Sequence, residues 1–469
     1  MTSGAAVRPG PRPASRPWLP PAVWPVVGSR LQIVVGPALA LPYLVALGAG
    51  EERIALVVIA MSAAVSVAWP AAGLAMFVMI MPMREPEILV PIRINAIMAG
   101  AIFMGCILRL PVDRLRLRVH PGVVMLVGYV LISALSLPSP LNGLAPDWLP
   151  SAMNALIRFS TGVALFLSAT YLFRLMSPWP ILALAMLGTG LTALLAIGDI
   201  TSYLPFTAFT GGLVEDTGNA RASGAFADPN FLGLYAATAF TFGLGALAAA
   251  RRSIKLALLP LVLLLLACVA LTYSRGAYVG VAIGAVVLVW QRHRAAAVVL
   301  AVVIGIIGVT LYPAFLEARQ GGALIPVDTY DLAQSEASRR AILLAGVAMF
   351  LAHPIVGVGF GVFQYVSPFF IRGAAPDSTF SHNQYLNILA EQGLVGAFLV
   401  GAMVVIAAVA IRRSGSPLAP ATLGMGAALL GTSAFLHSGT VFQSLSLLWL
   451  VLAVTLATGS RRGHPSKEG

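Results

Sequence analysis

Apolar runs of about 15–20 residues recur from Leu31 to Ala457, each closed by Arg, Pro or a polar cluster. About 20 residues at 1.5 Å rise cross the hydrocarbon of a bilayer, so this rhythm predicts repeated membrane-spanning helices. The runs place helices at about 31–49, 54–68, 70–82, 93–108, 121–137, 157–174, 180–198, 229–249, 256–272, 276–290, 295–312, 393–411, 418–436 and 441–458. Three stretches break the rhythm. Residues 199–228 are rich in Gly, Thr, Asp and Asn, and Ser274-Arg275-Gly276 is a tight turn between two apolar runs. Residues 313–392 form a long segment between spans, and loops beyond about 15 residues are uncommon unless functional or disordered. Helical patterning from Ser335 to Ala352 predicts that this segment folds, as a cap over the spans.

The expected fold class is therefore all-α, a polytopic transmembrane helical bundle of about 12–14 helices with one long loop containing helices. Its expected parts are a disordered amino terminus (1–30), a first transmembrane bundle (31–312), a helical loop or cap (313–392), the last transmembrane helices (393–458) and a tail (459–469). The first apolar run is long and starts late, which predicts a retained helix rather than a cleaved signal.

Composition strengthens this picture. Hydrophobic residues make up 59% of the chain and charged residues 10%, with a mean hydropathy of +0.90. A soluble domain carries roughly 25% charged residues, so a soluble class is excluded. The net charge of +12 would fit a nucleic-acid binder, but its placement does not. With the amino terminus in the cytoplasm, most of the 29 Lys and Arg fall on cytoplasmic segments, including Arg109, Arg251, Arg252, Arg292, Arg412 and Arg413. Topology follows this Lys/Arg bias of short loops, so both termini are expected to be cytoplasmic and nucleic acid is not an expected partner. Cys106 and Cys268 fall inside spans, where they pack as small hydrophobes.

The candidate chemistry gathers on the opposite side. Ser381-His382-Asn383-Gln384, followed by Tyr385-Leu386 and Ile388-Leu389, has the spacing of a capping box. It predicts Ser381 as the N-cap and His382 in the first helical turn, where the positive end of the helix keeps imidazole neutral. A neutral histidine is the form that a general base for a sugar hydroxyl requires. Asn383, Asn387 and Glu391, at i, i+4 and i+8, form one polar stripe facing protein or a watery cavity. A loop histidine with a solvated polar face has the same sequence pattern.

Arg339 and Arg340 open the run Ala341-Ile342-Leu343-Leu344, and arginine offers permanently charged, bidentate contacts to phosphate. Two arginines facing water at a helix start is the alternative. Arg221 precedes Asp228-Pro229-Asn230, a helix start with Asp at the N-cap and Pro at N1. Arg275 is held at a membrane edge, where a snorkelling arginine is equally at home. Gly357-Val358-Gly359-Phe360-Gly361 follows no strand and reads as a turn after a helix stopped by Pro354. No metal-ligand spacing is present, so no metal ion and no cofactor are expected.

The stretch from His382 to Gly396 resembles the signature of the O-antigen ligase and Wzy-type polymerase superfamily. His382 to Gly393 matches its H-(x10)-G motif, and Arg339 to Leu343 its R-(x3)-L motif, a spacing that Arg340 to Leu344 also fits. The run to His353-Pro354-Ile355-Val356-Gly357-Val358-Gly359, the Arg221 segment and the Ser274-Arg275-Gly276 turn are similar to the family as well. The resemblance implies a GT-C-like enzyme of the bacterial inner membrane with a periplasmic site. Its donor would be a glycan on undecaprenyl diphosphate, its acceptor a glycan or lipid A core, and membrane lipids its surroundings. Arg221, Arg339 or Arg340, and Arg275 would hold the diphosphate, and His382 would take the proton, with inversion at the anomeric carbon. Asn383, Asn387 and Glu391 would support it. Lipopolysaccharide and exopolysaccharide synthesis are the settings implied. The competing expectation is a transporter or flippase of lipid-linked sugars, whose polar residues would lie near the bilayer midplane.

Overall fold

The computed structural model describes residues 30–83, 94–113, 121–137, 148–200, 221–226, 228–321, 332–371, 381–437 and 442–460. The expected disordered amino terminus, most of 199–228, and the end of the tail lie outside these residues. Among them the chain forms sixteen α-helices and no strand.

The first half comprises α1 (Arg30–Gly48), α2 (Glu52–Ala68), α3 (Pro70–Ile80), α4 (Ile94–Asp113), α5 (Pro121–Leu135), α6 (Trp148–Leu175) and α7 (Trp179–Ile200). Next come α8 (Pro229–Ala249), α9 (Arg252–Leu271), α10 (Arg275–Trp290) and α11 (Arg294–Gly321). After α12 (Leu332–Ala352) and the one-turn α13 (Phe363–Val366) the chain returns through α14 (Gln384–Arg413), α15 (Ala419–Ser433) and α16 (Phe442–Ser460). Each of the fourteen apolar runs is a helix. Among the described residues seven helices are long and apolar enough to cross a membrane, and six shorter ones are also apolar. The fold is an all-α polytopic bundle.

The largest differences from the expected boundaries lie at α6, α11 and α14, the last of which starts at Gln384 rather than 393. Helix α6 begins at Trp148 rather than 157, because Ala152 on its first turns is buried in a second core cluster with Ile342, Met349, Val358, Val362 and Phe363. Helix α11 continues through Pro313 to Gly321 instead of ending at 312. That second cluster is where the 332–371 segment seats against α6 and α14.

Many polar groups inside the bundle find partners within it, which an apolar surrounding favours. Buried Thr and Ser hydroxyls donate back to carbonyls one turn earlier, as Thr241 does to Ala237 and Thr432 to Ala428. Arg109, buried in α4, donates to the Ala68 carbonyl at the end of α2, the favourable place for a cation on a helix. Cys106 and Cys268 are free and buried, as expected.

Helices α10 and α15 meet along small residues. Gly276, Gly280 and Gly284 recur at every fourth position, opposite Thr432, Ala428 and Gly424. A Cβ on Gly280 would stand 2.8 Å from the Ala428 carbonyl oxygen, and one on Gly284 3.0 Å from that of Gly424. Such small-residue stripes let helix backbones approach where no hydrophobic force separates side chains from lipid.

Helix α14 is bent at Gly393, whose φ of 62° and ψ of −157° lie outside helical space. The bend exposes backbone groups that the Pro354–Gly361 turn then satisfies. The Val358 and Gly359 amides donate to the Ala390 and Glu391 carbonyls, both at 2.9 Å. In return the Leu394 and Val395 amides donate to the Pro354 and Ile355 carbonyls at 2.9 and 3.1 Å. Backbones this close leave no room for a Cβ: one on Gly393 would collide with Ile355, and one on Gly357, at φ +70°, with Glu391. From the other side Gln392 accepts from the Tyr129 hydroxyl at 2.6 Å and donates to Ser133 Oγ at 2.8 Å, tying the bend to α5.

Candidate active site

Four helix ends and one helix half converge at one end of the bundle: the starts of α8, α10 and α14, the end of α15, and the amino-terminal half of α12. Their local sequences explain why. Asp228 caps α8, accepting from the Asn230 amide at 2.7 Å, with Pro229 at the first helical position. Ser274 caps α10 by accepting from the Ala277 amide. Asn383 caps α14 by accepting from the Leu386 amide at 3.0 Å.

This last cap corrects the sequence expectation. Ser381 is not the N-cap, and His382 lies before the helix rather than in its first turn. Ser381 instead accepts from the Asn383 amide and donates to the Asn383 carbonyl, forming a small turn that holds His382 between two anchored neighbours. His382 adopts φ 46°, and Tyr273, beside Arg275, adopts φ 47°. Among the described residues these are the two non-glycine residues with positive φ. Such conformations persist where the surroundings impose them, and both flank this site.

The imidazole of His382 is half-buried. Its pKa lies below the ordinary value, first because burial disfavours the charged form, then because of the Arg339 charge; Asp228 acts in the opposite direction. The lowering runs in the expected direction, but desolvation and Arg339 rather than the helix end are its cause.

Arg221 is fixed by two contacts. Its Nε donates to the Thr272 carbonyl at 2.8 Å and its terminal nitrogen to Asn230 Oδ1 at 3.2 Å, while the Ala222 amide pairs with the Leu271 carbonyl. Arg221 thus bridges the end of α9 to the first turn of α8, whose cap Asp228 acts on His382. Arg339 and Arg340 separate cleanly: Arg339 is partly buried and acts on His382, whereas Arg340 is exposed. Arg275 donates to the Tyr312 hydroxyl at 3.2 Å, on the α11 side of the same turn that holds Arg221.

The polar stripe divides. Asn383 is the cap and Asn387 is half-buried, but Glu391 is buried with its carboxylate turned to the Phe363 amide at 2.8 Å. Its local partner is the α13 turn. Among the described residues no group of three or more His, Cys, Asp or Glu is placed to hold a metal ion.

Sequence reasoning missed His437. It follows α15 and is buried, and its ring meets that of His382 edge-on at 5.8 Å and that of Phe231 at 5.2 Å. Burial and then His382 push its pKa down to about 3, so it is neutral. The available signal was a single histidine closing the apolar run of α15. The Tyr385 hydroxyl, donating to the Leu430 carbonyl at 2.6 Å, holds the start of α14 against the end of α15.

Residues 260–401 match the family model described as O-antigen ligase. That matched segment, less than a third of the chain, supports the O-antigen ligase and Wzy-type resemblance. No curated protein matches the chain. The O-antigen ligase match covers Arg275, Arg339, Arg340, His382, Asn383, Asn387 and Glu391, together with the Gly357–Gly393 backbone crossing. Arg221, Asp228 and His437 lie outside it but are brought to the same place by the fold. The match supports, in general terms, glycan ligation or polymerisation at a membrane.

Proposed function

We propose that this chain is an inverting, metal-independent glycosyltransferase that transfers or polymerises a glycan carried on undecaprenyl diphosphate, at the periplasmic face of the bacterial inner membrane. The observation that carries the reading is a half-buried histidine, His382, acted on by the charge of Arg339 and by Asp228, the cap of the helix whose first turn anchors Arg221. His382 takes the proton of the attacking acceptor hydroxyl, the new bond forms at the anomeric carbon, and the carbon–phosphate oxygen bond breaks on the opposite face. The electron pair leaves with the undecaprenyl diphosphate, and Arg339 and Arg221 hold the charge that develops there. Arginines preorganised beside a developing anion act in the transition state without reorganising, which is the economical form of electrostatic catalysis. Arg275 extends the cationic surface toward α11, and Arg340, being exposed, is left outside the diphosphate site. Asn383 and Asn387 orient the start of α14, and Glu391 anchors it to α13.

A transporter would keep its polar residues at mid-span. Arg221 and His382 lie instead in connections, Arg275 opens α10, and Arg339 sits in the amino-terminal half of α12, two turns after the helix start rather than at it. This gathering at helix ends favours chemistry at a membrane surface. The deciding experiment compares carrier-linked glycans in cells lacking this protein and in cells restored with the wild type or His382→Gln. Single repeat units accumulating on the carrier would identify a polymerase, and long stranded chains a ligase acting on glycan or lipid A core. His382→Gln, inserted at wild-type levels, should leave the accumulation uncorrected. Correction by that variant removes the base, and units held on the cytoplasmic face replace the enzyme with a transporter.

A further inference from the structure

The first turn of α8 touches both halves of the candidate site. Asn230 accepts from Arg221, Asp228 acts on His382, and Phe231 packs edge-on against His437, which packs edge-on against His382 at an interplanar angle of 73°. His437 is 6% exposed, so its ring has little freedom to move. It is also held from its own helix, because Phe435 and Thr432 close against Gly276 at the start of α10. His382 has the opposite problem, being half-exposed and placed before a helix at positive φ. Its backbone anchors therefore leave the plane of the imidazole to be set by what packs against the ring.

We propose that His437 is a positioning residue, whose ring, wedged between Phe231 and His382, sets the orientation of the His382 imidazole toward the acceptor hydroxyl. The inference rests on the reading of His382 as the base. Edge-to-face aromatic pairs prefer a defined geometry, and small misplacements of a reacting group lower rates steeply. The same ring keeps water from one side of His382, so it contributes to the burial that holds this base neutral. The charged groups acting on His382 are Arg339 from α12 and Asp228 at the cap of α8, and His437 after α15 is the titratable group packed against its ring.

The test measures glycan transfer against pH in membranes containing full-length wild type, His437→Ala, His437→Phe and His382→Gln, each at matched insertion. Removing the ring should lower kcat by about three- to tenfold with KM unchanged. It should also move the acid limb to higher pH, because solvated His382 regains protons more readily. His437→Phe, which restores an aromatic wall without ring nitrogens, should bring kcat to within about threefold of wild type and return the acid limb. Wild-type kcat and acid limb in His437→Ala overturn the inference. So does a His437→Phe protein as impaired as His437→Ala, which would assign the function to the ring nitrogens. If His437→Ala does not insert, the His437→Phe result decides alone: near-wild-type turnover supports positioning, and more than tenfold loss overturns it. An inactive His382→Gln beside an unaffected His437→Ala removes the positioning role only. An active His382→Gln removes the base and this inference with it.

Discussion

Replacing Gly393 by alanine tests whether the backbone crossing beneath the site holds His382 in place. At φ 62° and ψ −157° the residue occupies a region essentially reserved for glycine, and forcing another residue there costs about 1–3 kcal/mol. The added Cβ would also meet the backbone of Ile355 and Pro354, the two carbonyls that accept from Val395 and Leu394. Each of these hydrogen bonds is worth about 0.5–1.5 kcal/mol net, so the whole loss is about 2–6 kcal/mol. The chain escapes this strain by straightening α14 and releasing the Pro354–Gly361 turn, which displaces His382 at the head of the helix. Thermal unfolding in detergent, followed by tryptophan fluorescence, should show a midpoint lowered by several degrees, and glycan transfer should fall at least tenfold. Gly401→Ala is the control within the same helix: its Cβ meets nothing within 4 Å, and alanine at an ordinary helical position is favoured by about 0.5–1 kcal/mol. A Gly393→Ala protein with wild-type midpoint and turnover would refute the account of the crossing.

The charges around His382 predict opposite movements of the pH profile. A base works deprotonated, so activity falls as pH drops through its pKa; Arg339→Gln removes a charge that lowers that pKa and should move the acid limb up. Asp228→Asn keeps the helix cap but removes a charge that raises it, and should move the limb down. Gly280→Val inserts a branched side chain between α10 and α15 and should destabilise the protein by about 1–3 kcal/mol, read as a lower unfolding midpoint. An unchanged midpoint would mean that these helices do not depend on close approach.

The helices were legible because hydropathy is a long-range average, insensitive to single residues. Even the short α2 and α3 emerged, divided by Trp69-Pro70. Where structure depends on tertiary contact the pattern was silent. Trp148 to Leu156 includes Pro150, Ser151 and Asn154, which dilute an apolar run, yet these residues are helical because Ala152 packs against the 332–371 segment. The α14 cap was misplaced because Ser381 and Asn383 are both good capping residues two positions apart, and spacing alone could not choose between them. Arg339 and Arg340 differ in burial through which face of α12 turns inward, and both fit the same R-(x3)-L spacing. His437 was invisible because its significance depends on two rings remote in sequence. The glycine stripe of α10 did carry a signal, at a spacing of four, that hydropathy gives no weight.

That stripe has a consequence for how the site lives in a fluid membrane. The helix bearing Arg275 and the helix leading to His437 are separated by backbone thickness alone along Gly276, Gly280 and Gly284, with few side-chain torsions between them to change. When a bilayer thins or thickens, helices adjust by tilting. A pair in backbone contact tilts as one body, so both sides of the site are carried together rather than pulled apart. The spacing of the two sides is thereby uncoupled from acyl-chain length.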